Sequence, residues 1–241
     1  MTARIIVRFL GVVVLLVSVV LAGPLRAAEE VDLELVLMAD ASGSVDAQEY
    51  ALQRFGYAQA FRDPRVIDAI RGGYRGKIAI AFIEWTGPVL QVPIVDWIAL
   101  GDAEQIEAFA KKLETLPRVL YGGGTSVGPA IMYGADSIDE NRFTSQRRVI
   151  DVSGDGSNSS GLPPSLARDR VVARGFTVNG LPILTDEPNL GRYYEANVIG
   201  GPGAFMIPAN DFVDFAKAVR TKLIREIAGV ENERDLETAA R

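Results

Sequence analysis

Leu35-Val36-Leu37-Met38-Ala39, followed directly by Asp40-Ala41-Ser42-Gly43-Ser44, decides how this chain reads. The apolar run from Val31 to Ala39 predicts a buried strand, which puts residues 40–44 where that strand emerges at the edge of a sheet. In an open α/β sheet that edge is where ligands bind. Alternate positions of the pentapeptide carry a carboxylate and two hydroxyls, while Ala41 and Gly43 are small enough to let the backbone curl around a bound atom. Such oxygen donors suit a hard divalent cation. Asp, Ser and Gly are equally the residues of an ordinary turn, so both readings stay open on this stretch alone.

Composition narrows the chemistry more than it narrows the fold. The chain has 241 residues, 48% hydrophobic and 23% charged, which is ordinary globular usage and enough length for a full core. The formal charge of -6 comes without a basic block, which argues against a nucleic-acid partner. There is no histidine, so Ser-His-Asp and Cys-His machinery and imidazole metal sites are excluded. There is no cysteine either, which removes disulfides, thiolate nucleophiles, zinc-thiolate sites and iron–sulfur clusters. Any binding or reaction must use oxygen ligands, lysine or arginine.

Residues 1–28 have the layout of a secretory signal peptide: Arg4 and Arg8, an apolar stretch from Phe9 to Leu21, a break at Ala22-Gly23-Pro24, then Ala27-Ala28. The alternative is an uncleaved anchor, since counting from Ile5 the apolar stretch reaches about 17 residues, near the lower limit for spanning a bilayer. Cleavage would leave 22 basic against 31 acidic residues, near -9. An acidic, cysteine-free, exported domain fits a periplasmic or secreted location. A membrane enters only if the N-terminal segment is retained.

Along residues 29–229 strands alternate with helices. Asp46 with Glu49 reads as a capping box opening a helix whose buried face would carry Ala51, Phe55, Ala58 and Phe61. Lys77 to Trp85 and Val89 to Trp97, joined through Thr86-Gly87-Pro88, read as an antiparallel hairpin at a sheet edge, where Pro88 and Pro93 are tolerated. Asp102 with Gln105 opens a second helix, with Ile106, Phe109, Ala110 and Leu113 inward. After Gly122-Gly123-Gly124-Thr125 a third helix presents Val127, Ala130, Ile131, Gly134, Ala135 and Ile138. Arg147 to Val152 is a strand leading to Ser153-Gly154-Asp155-Gly156; Leu162 to Arg174 is helical, and Phe176 to Leu184 and Ala204 to Ile207 are strands. Asp211 caps a closing helix that buries Phe212, Phe215, Val219, Leu223 and Ile227. Residues 230–241 are a charged extension without a sustained apolar face. The expected architecture is α/β: a doubly wound, mostly parallel, Rossmann-like sheet with an antiparallel edge strand and helices on both faces.

Three loops then fall at strand ends or just before a helix: 40–44, 122–126 and 153–157. Asp40, Ser42, Ser44, Thr125 and Asp155 would supply two carboxylates and three hydroxyls, a donor set for Mg²⁺, with Mn²⁺ or Ca²⁺ as alternatives. In these residues the sequence resembles the von Willebrand factor type A (VWA) domain with its metal-ion-dependent adhesion site. The D-x-S-x-S motif matches Asp40, Ser42 and Ser44, the separate threonine matches Thr125, and the second aspartate matches Asp155. The resemblance covers about residues 31 to 228 and is strongest to exported bacterial members. It implies a non-enzymatic binding module in which the cation is held by these five residues and a protein partner supplies an Asp or Glu to its open position. No small-molecule cofactor is implied.

Other readings of the same residues are weaker. Asp151 to Gly156 echoes the start of an EF-hand loop, but the twelfth position is Leu162 where a bidentate Glu is required. Gly72 to Lys77 lacks phosphate-loop spacing and has Ile78 where Ser or Thr must hold Mg²⁺. Asp151, between Ile150 and Val152, reads as a partnered strand residue. Trp85 and Trp97 read as buried near the sheet edge, and Asn158-Ser159-Ser160 matches a glycosylation acceptor. The alternative of a different class is a Mg²⁺-dependent hydrolase or phosphoryl-transfer enzyme on the same oxygen ligands, which would need a carboxylate or lysine base; the three loops contain no lysine.

Overall fold

The computed structural model describes residues 28–229. The signal-peptide reading of residues 1–28 falls, save for Ala28, outside the described residues, as does the charged extension 230–241. Fourteen elements follow in order: β1 (Glu29–Glu30), β2 (Glu34–Asp40), α1 (Ala47–Arg62), α2 (Pro64–Arg71), β3 (Ile78–Thr86), β4 (Leu90–Leu100), α3 (Ala103–Thr115), α4 (Val127–Glu140), β5 (Phe143–Thr144), β6 (Arg148–Gly154), α5 (Pro164–Ala173), β7 (Thr177–Pro182), α6 (Leu190–Asn197) and α7 (Phe215–Ala228). The main sheet has the order β4-β3-β2-β6-β7, parallel except for β4, which pairs antiparallel with β3 at one edge. β1 and β5 form a separate two-stranded parallel pair.

β2 is central and buried along its whole length, so its side chains alternate between two cores. Leu35, Leu37 and Ala39 enter the core built with α1, α2, α3 and α7; Val36 and Met38 enter the one built with α4, α5 and α6. That is the arrangement of a strand covered on both faces, and it accounts for the near-continuous apolar run. The chain proceeds from β2 to β3 on one side and later returns to β6 on the other. Strand order therefore reverses at β2/β6, and the crevice outside their carboxyl ends is where this class of sheet binds ligands. Asp40 ends β2, and Asp155 follows the last residue of β6.

The capping box at α1 forms as read: the Asp46 side chain accepts from Glu49 N and Glu49 from Asp46 N. That at α3 forms likewise, with Asp102 and Gln105. The β3–β4 register shifts between Phe82 and Ile83, opposite Val95 and Pro93, so Pro93 sits at an irregularity of the edge strand, where its missing N–H costs little.

The structure corrects several elements. The buried face of α1 is Tyr50, Gln53, Arg54, Tyr57, Ala58 and Phe61, whereas Ala51 and Phe55 face solvent, Phe55 at 52%. Apolar spacing misplaced this face because Gln53 and Arg54 are polar residues buried for their partners: Gln53 donates to the Asp40 carbonyl, and Arg54 pairs with Glu84. Residues 204–207 form no strand. Phe205 N is taken by Asn179 Oδ1, leaving isolated bridges of Met206 to Gly180 and Ala209 to Ile183. The closing helix starts at Phe215; Asp211 instead accepts from Asp214 N in the preceding turn, although Phe212 is buried as expected. The helices α2 and α6 had no counterpart in the sequence reading. Trp85 is fully buried, and Trp97, half-buried, donates from Nε1 to Ser137 Oγ. Among the described residues no helix is long and apolar enough to cross a membrane.

Candidate metal centre

The loop leaving β2 turns on its own aspartate. Asp40 Oδ1 accepts from Ser42 N at 2.7 Å, an Asx-type closure that Ala41 and Gly43 permit. Ser42 Oγ lies 3.1 Å from Ser44 Oγ, and Ser44 Oγ donates to Asp155 Oδ1 at 2.7 Å. Four of the five sequence-predicted residues thus form one connected chain across the β2/β6 switch point, with Asp40, Ser42 and Asp155 buried and Ser44 exposed. Thr125 makes no side-chain bond to them in the described structure, but its loop is attached: Gly43 N donates to the Gly123 carbonyl, and Thr125 Oγ1 lies 3.5 Å from where a Cβ on Gly156 would stand.

The glycine loop is fixed from two sides. Gly122 and Gly123 have φ of 74° and 96°, which side chains disfavour, and a Cβ on Gly123 would lie 2.4 Å from Thr86 Oγ1. Thr86 Oγ1 donates to the Gly122 and Gly124 carbonyls. From the other side, Ser159 Oγ accepts from Thr125 N and donates to its carbonyl, while Ser126 and Ser160 hydroxyls meet at 2.9 Å. Asn158 accepts from Gly128 N and donates to the Ser160 carbonyl, so the amide of the glycosylation match is engaged within the loop.

Sequence reasoning missed the residue that clasps the first loop. Arg118 donates to the carbonyls of Val45 (3.0 Å), Asp46 (3.2 Å) and Ala41 (3.4 Å) and to Leu120 (2.7 Å), with its guanidinium 4.7 Å from the Tyr50 ring centroid and 5.3 Å from that of Tyr121. Its partners are backbone carbonyls, which no side-chain motif announces.

Electrostatically the centre is anionic. Burial, then the negative charge of Asp155, pushes the Asp40 carboxyl up to about 7. Burial likewise raises Asp155, against the lowering hydrogen bond from Ser44, and Asp186 and Glu187 raise it further. Asp40 Oδ2 is buried with no hydrogen-bond partner, and a buried unpartnered carboxylate oxygen is costly. Among the described residues no three acidic side chains gather into a cage, so a cation here would rest on two carboxylates and neutral hydroxyls. Two buried carboxylates bridged by hydroxyls fit a hard divalent ion as a donor set.

A pH dependence follows. A carboxyl raised in the folded state binds more protons folded than unfolded, so its contribution to stability is lost as pH climbs from its unfolded value of 3.8 through about 7. Asp155 and Glu34 are raised with the same sign. The lowered carboxyls, Asp63, Glu107 and Glu114, act with the opposite sign, from their ordinary values downward. In chelator-containing buffer the melting temperature should fall between pH 5 and pH 8, and Asp40→Asn should flatten the fall. A slope identical in the variant would contradict this account of Asp40.

Among curated proteins, none matches this sequence. Among solved structures, the chain is similar to the pilus adhesin SpaC from Lactobacillus rhamnosus GG in its open conformation, at 15% identity and a TM-score of 0.58, covering 83% of this chain and 31% of that one. It is similar to the von Willebrand factor type A structure from Catenulispora acidiphila, at 17% identity and a TM-score of 0.57, over 82% of this chain and 43% of that one. It is also similar to proximal thread matrix protein 1 from the mussel byssus, solved with a zinc-occupied MIDAS motif, at 15% identity and a TM-score of 0.56, over 84% of this chain and 50% of that one. The chain spans half or less of the length of these three structures, and at such identities the likeness is one of fold. The fold is that of a VWA domain, and with the family model described as "Protein of unknown function (DUF1194)" matching residues 30–231, the chain belongs to that VWA-like family.

Proposed function

We propose that this chain is an exported protein-binding module whose contact with its partner depends on a divalent cation held by Asp40, Ser42, Ser44, Thr125 and Asp155. The observation that carries the reading is the pairing of two buried carboxylates at the topological switch point, bridged through Ser42 and Ser44 and lacking a Lys or Arg ion pair among the described residues. Mg²⁺ is the expected ion, with Mn²⁺ and Ca²⁺ as alternatives; the zinc-occupied MIDAS of the mussel protein supports a divalent ion in this fold without fixing which. With two carboxylates and otherwise neutral hydroxyl donors, the ion would stay electrophilic at its open position and draw in a partner's Asp or Glu. Asp186, Glu187 and Glu49 exert negative charge at the same end of the sheet, which disfavours a carboxylate arriving without the ion. The binding would therefore be switched by the cation. Nothing in the geometry favours the hydrolase or phosphoryl-transfer alternative: no lysine or histidine joins the centre, and both carboxylates are engaged in holding the loops.

Export rests on the N-terminal composition of residues 1–28, which supports a periplasmic or secreted location. Residues 29–229 form the binding module and 230–241 its charged extension. The test is calorimetric titration of the purified protein with Mg²⁺ and Mn²⁺ beside Asp155→Ala. Saturable binding near one equivalent, weakened at least about a hundredfold in the variant, is expected when a charged metal ligand is lost. Absence of binding by the intact protein would reduce the three loops to ordinary capped turns.

A further inference from the structure

We propose that Tyr194, on α6, is a positioning residue for the cation site, its hydroxyl holding Asp40 Oδ2 from the inner side of the sheet. The proposal rests on the reading of these loops as a cation site. Besides Trp85 Nε1, across from Asp40 on β3, two buried polar atoms lack a hydrogen-bond partner on this face at the end of β2: Asp40 Oδ2 and the Tyr194 hydroxyl. One accepts and the other donates. They border the same small space, since a Cβ built on Gly154 would stand 2.9 Å from Asp40 Oδ2 and 3.1 Å from the Tyr194 oxygen. The two oxygens thus lie within reach of one bridging water.

The surroundings are shaped for this side chain. Gly180 lies on β7 across from Val152, two residues before Gly154, so both glycines face α6. A Cβ on Gly180 would come within 2.6 Å of Tyr194 Cδ1: the ring occupies the room that a side chain there would need. A phenylalanine would fill the same slot without burying a hydroxyl, so packing alone does not account for the oxygen. The phenol stays a donor, because burial and then the charges of Asp40 and Asp155 hold it well above its ordinary value. Each carboxylate oxygen accepts two bonds, so a bond to Tyr194 on the inner side leaves Oδ2 a second lone pair toward the cation or its water. Groups in this outer position orient the ligand and commonly set metal affinity.

The test uses purified protein and Mn²⁺ as the probe, with free Mn²⁺ followed by electron paramagnetic resonance and the melting temperature measured in chelator. Tyr194→Phe is expected to weaken Mn²⁺ binding roughly tenfold or more, and to lower the metal-free melting temperature less in an Asp40→Ala background, where no carboxylate remains to be held, than in the parent. Equal affinity in the variant and the parent would overturn the role of Tyr194 and leave the cation site standing. An equal drop in metal-free melting temperature with and without the Asp40 carboxylate would also overturn it, as the mark of a packing residue. If the parent protein binds no Mn²⁺, the cation reading and this inference fall together.

Discussion

Lys222→Met is expected to destabilise the protein by about 3–5 kcal/mol, the usual cost of stripping the counter-charge from a buried ion pair. Lys222 on α7 is fully buried, with Nζ 2.6 Å from Asp151 Oδ1 and in contact with Glu226 one turn on. Asn179 donates to Glu226 at 2.9 Å, tying β7 into the same cluster. One cation faces two carboxylates, and burial together with Glu226 already raises Asp151 against the lowering pull of Lys222. Removing the amine leaves Asp151 and Glu226 without their cation between α7 and the sheet, Glu226 keeping the Asn179 amide. Urea denaturation at neutral pH measures the loss, and Asp151→Asn in the same background should recover part of it. A cost below about 1 kcal/mol would mean that both carboxyls are protonated in the native state and that the lysine contributes little.

Arg54→Met should cost about 3 kcal/mol, nearer the lower end of the same range, because one carboxylate rather than two is stranded. Arg54 lies on α1 and reaches Glu84 of β3 at 2.7 Å, a pair with side chains 4% and 0% exposed. It also donates to the Leu113 carbonyl at 2.6 Å, so one guanidinium joins α1, β3 and α3, while Tyr50 donates to the same Glu84 oxygen. Its guanidinium also lies over the Phe82 ring, 5.2 Å from the centroid. The double variant Arg54→Met, Glu84→Gln should be more stable than Arg54→Met alone, since it no longer buries an unpaired charge. Equal stability of the two would assign the loss to packing.

Both clusters bear on what could be read in advance. The central strand, the capping boxes at Asp46 and Asp102, the edge hairpin and the buried stripes of α3 and α4 were legible because each depends on local spacing. The α1 face was not, because Gln53 and Arg54 are buried through partners on β2, β3 and α3, far away in sequence. Strand spacing marks Asp151 as partnered but does not name the partner, which lies 71 positions away on a different element. Residues 204–207 looked like a strand by composition, but the Asn179 side chain took the donor that a ladder would have used. Leu190–Asn197 was overlooked as a helix, and with it Tyr194, since neither carries a side-chain cap or long apolar period.

By itself the sequence determined the layered α/β architecture and the chemistry open to it: an apolar strand ending in Asp40, hydroxyls at 42 and 44, and no histidine or cysteine to do anything else. These follow from near-neighbour spacing and from what residue types exist. Only the tertiary structure decided that Ser44 meets Asp155, that Arg118 clasps the first loop through backbone carbonyls, and that Tyr194 comes up beneath Asp40 between two glycines. Each of these joins segments brought together by the strand order β4-β3-β2-β6-β7, and long-range contact is set by the packing of whole elements, which no local pattern encodes.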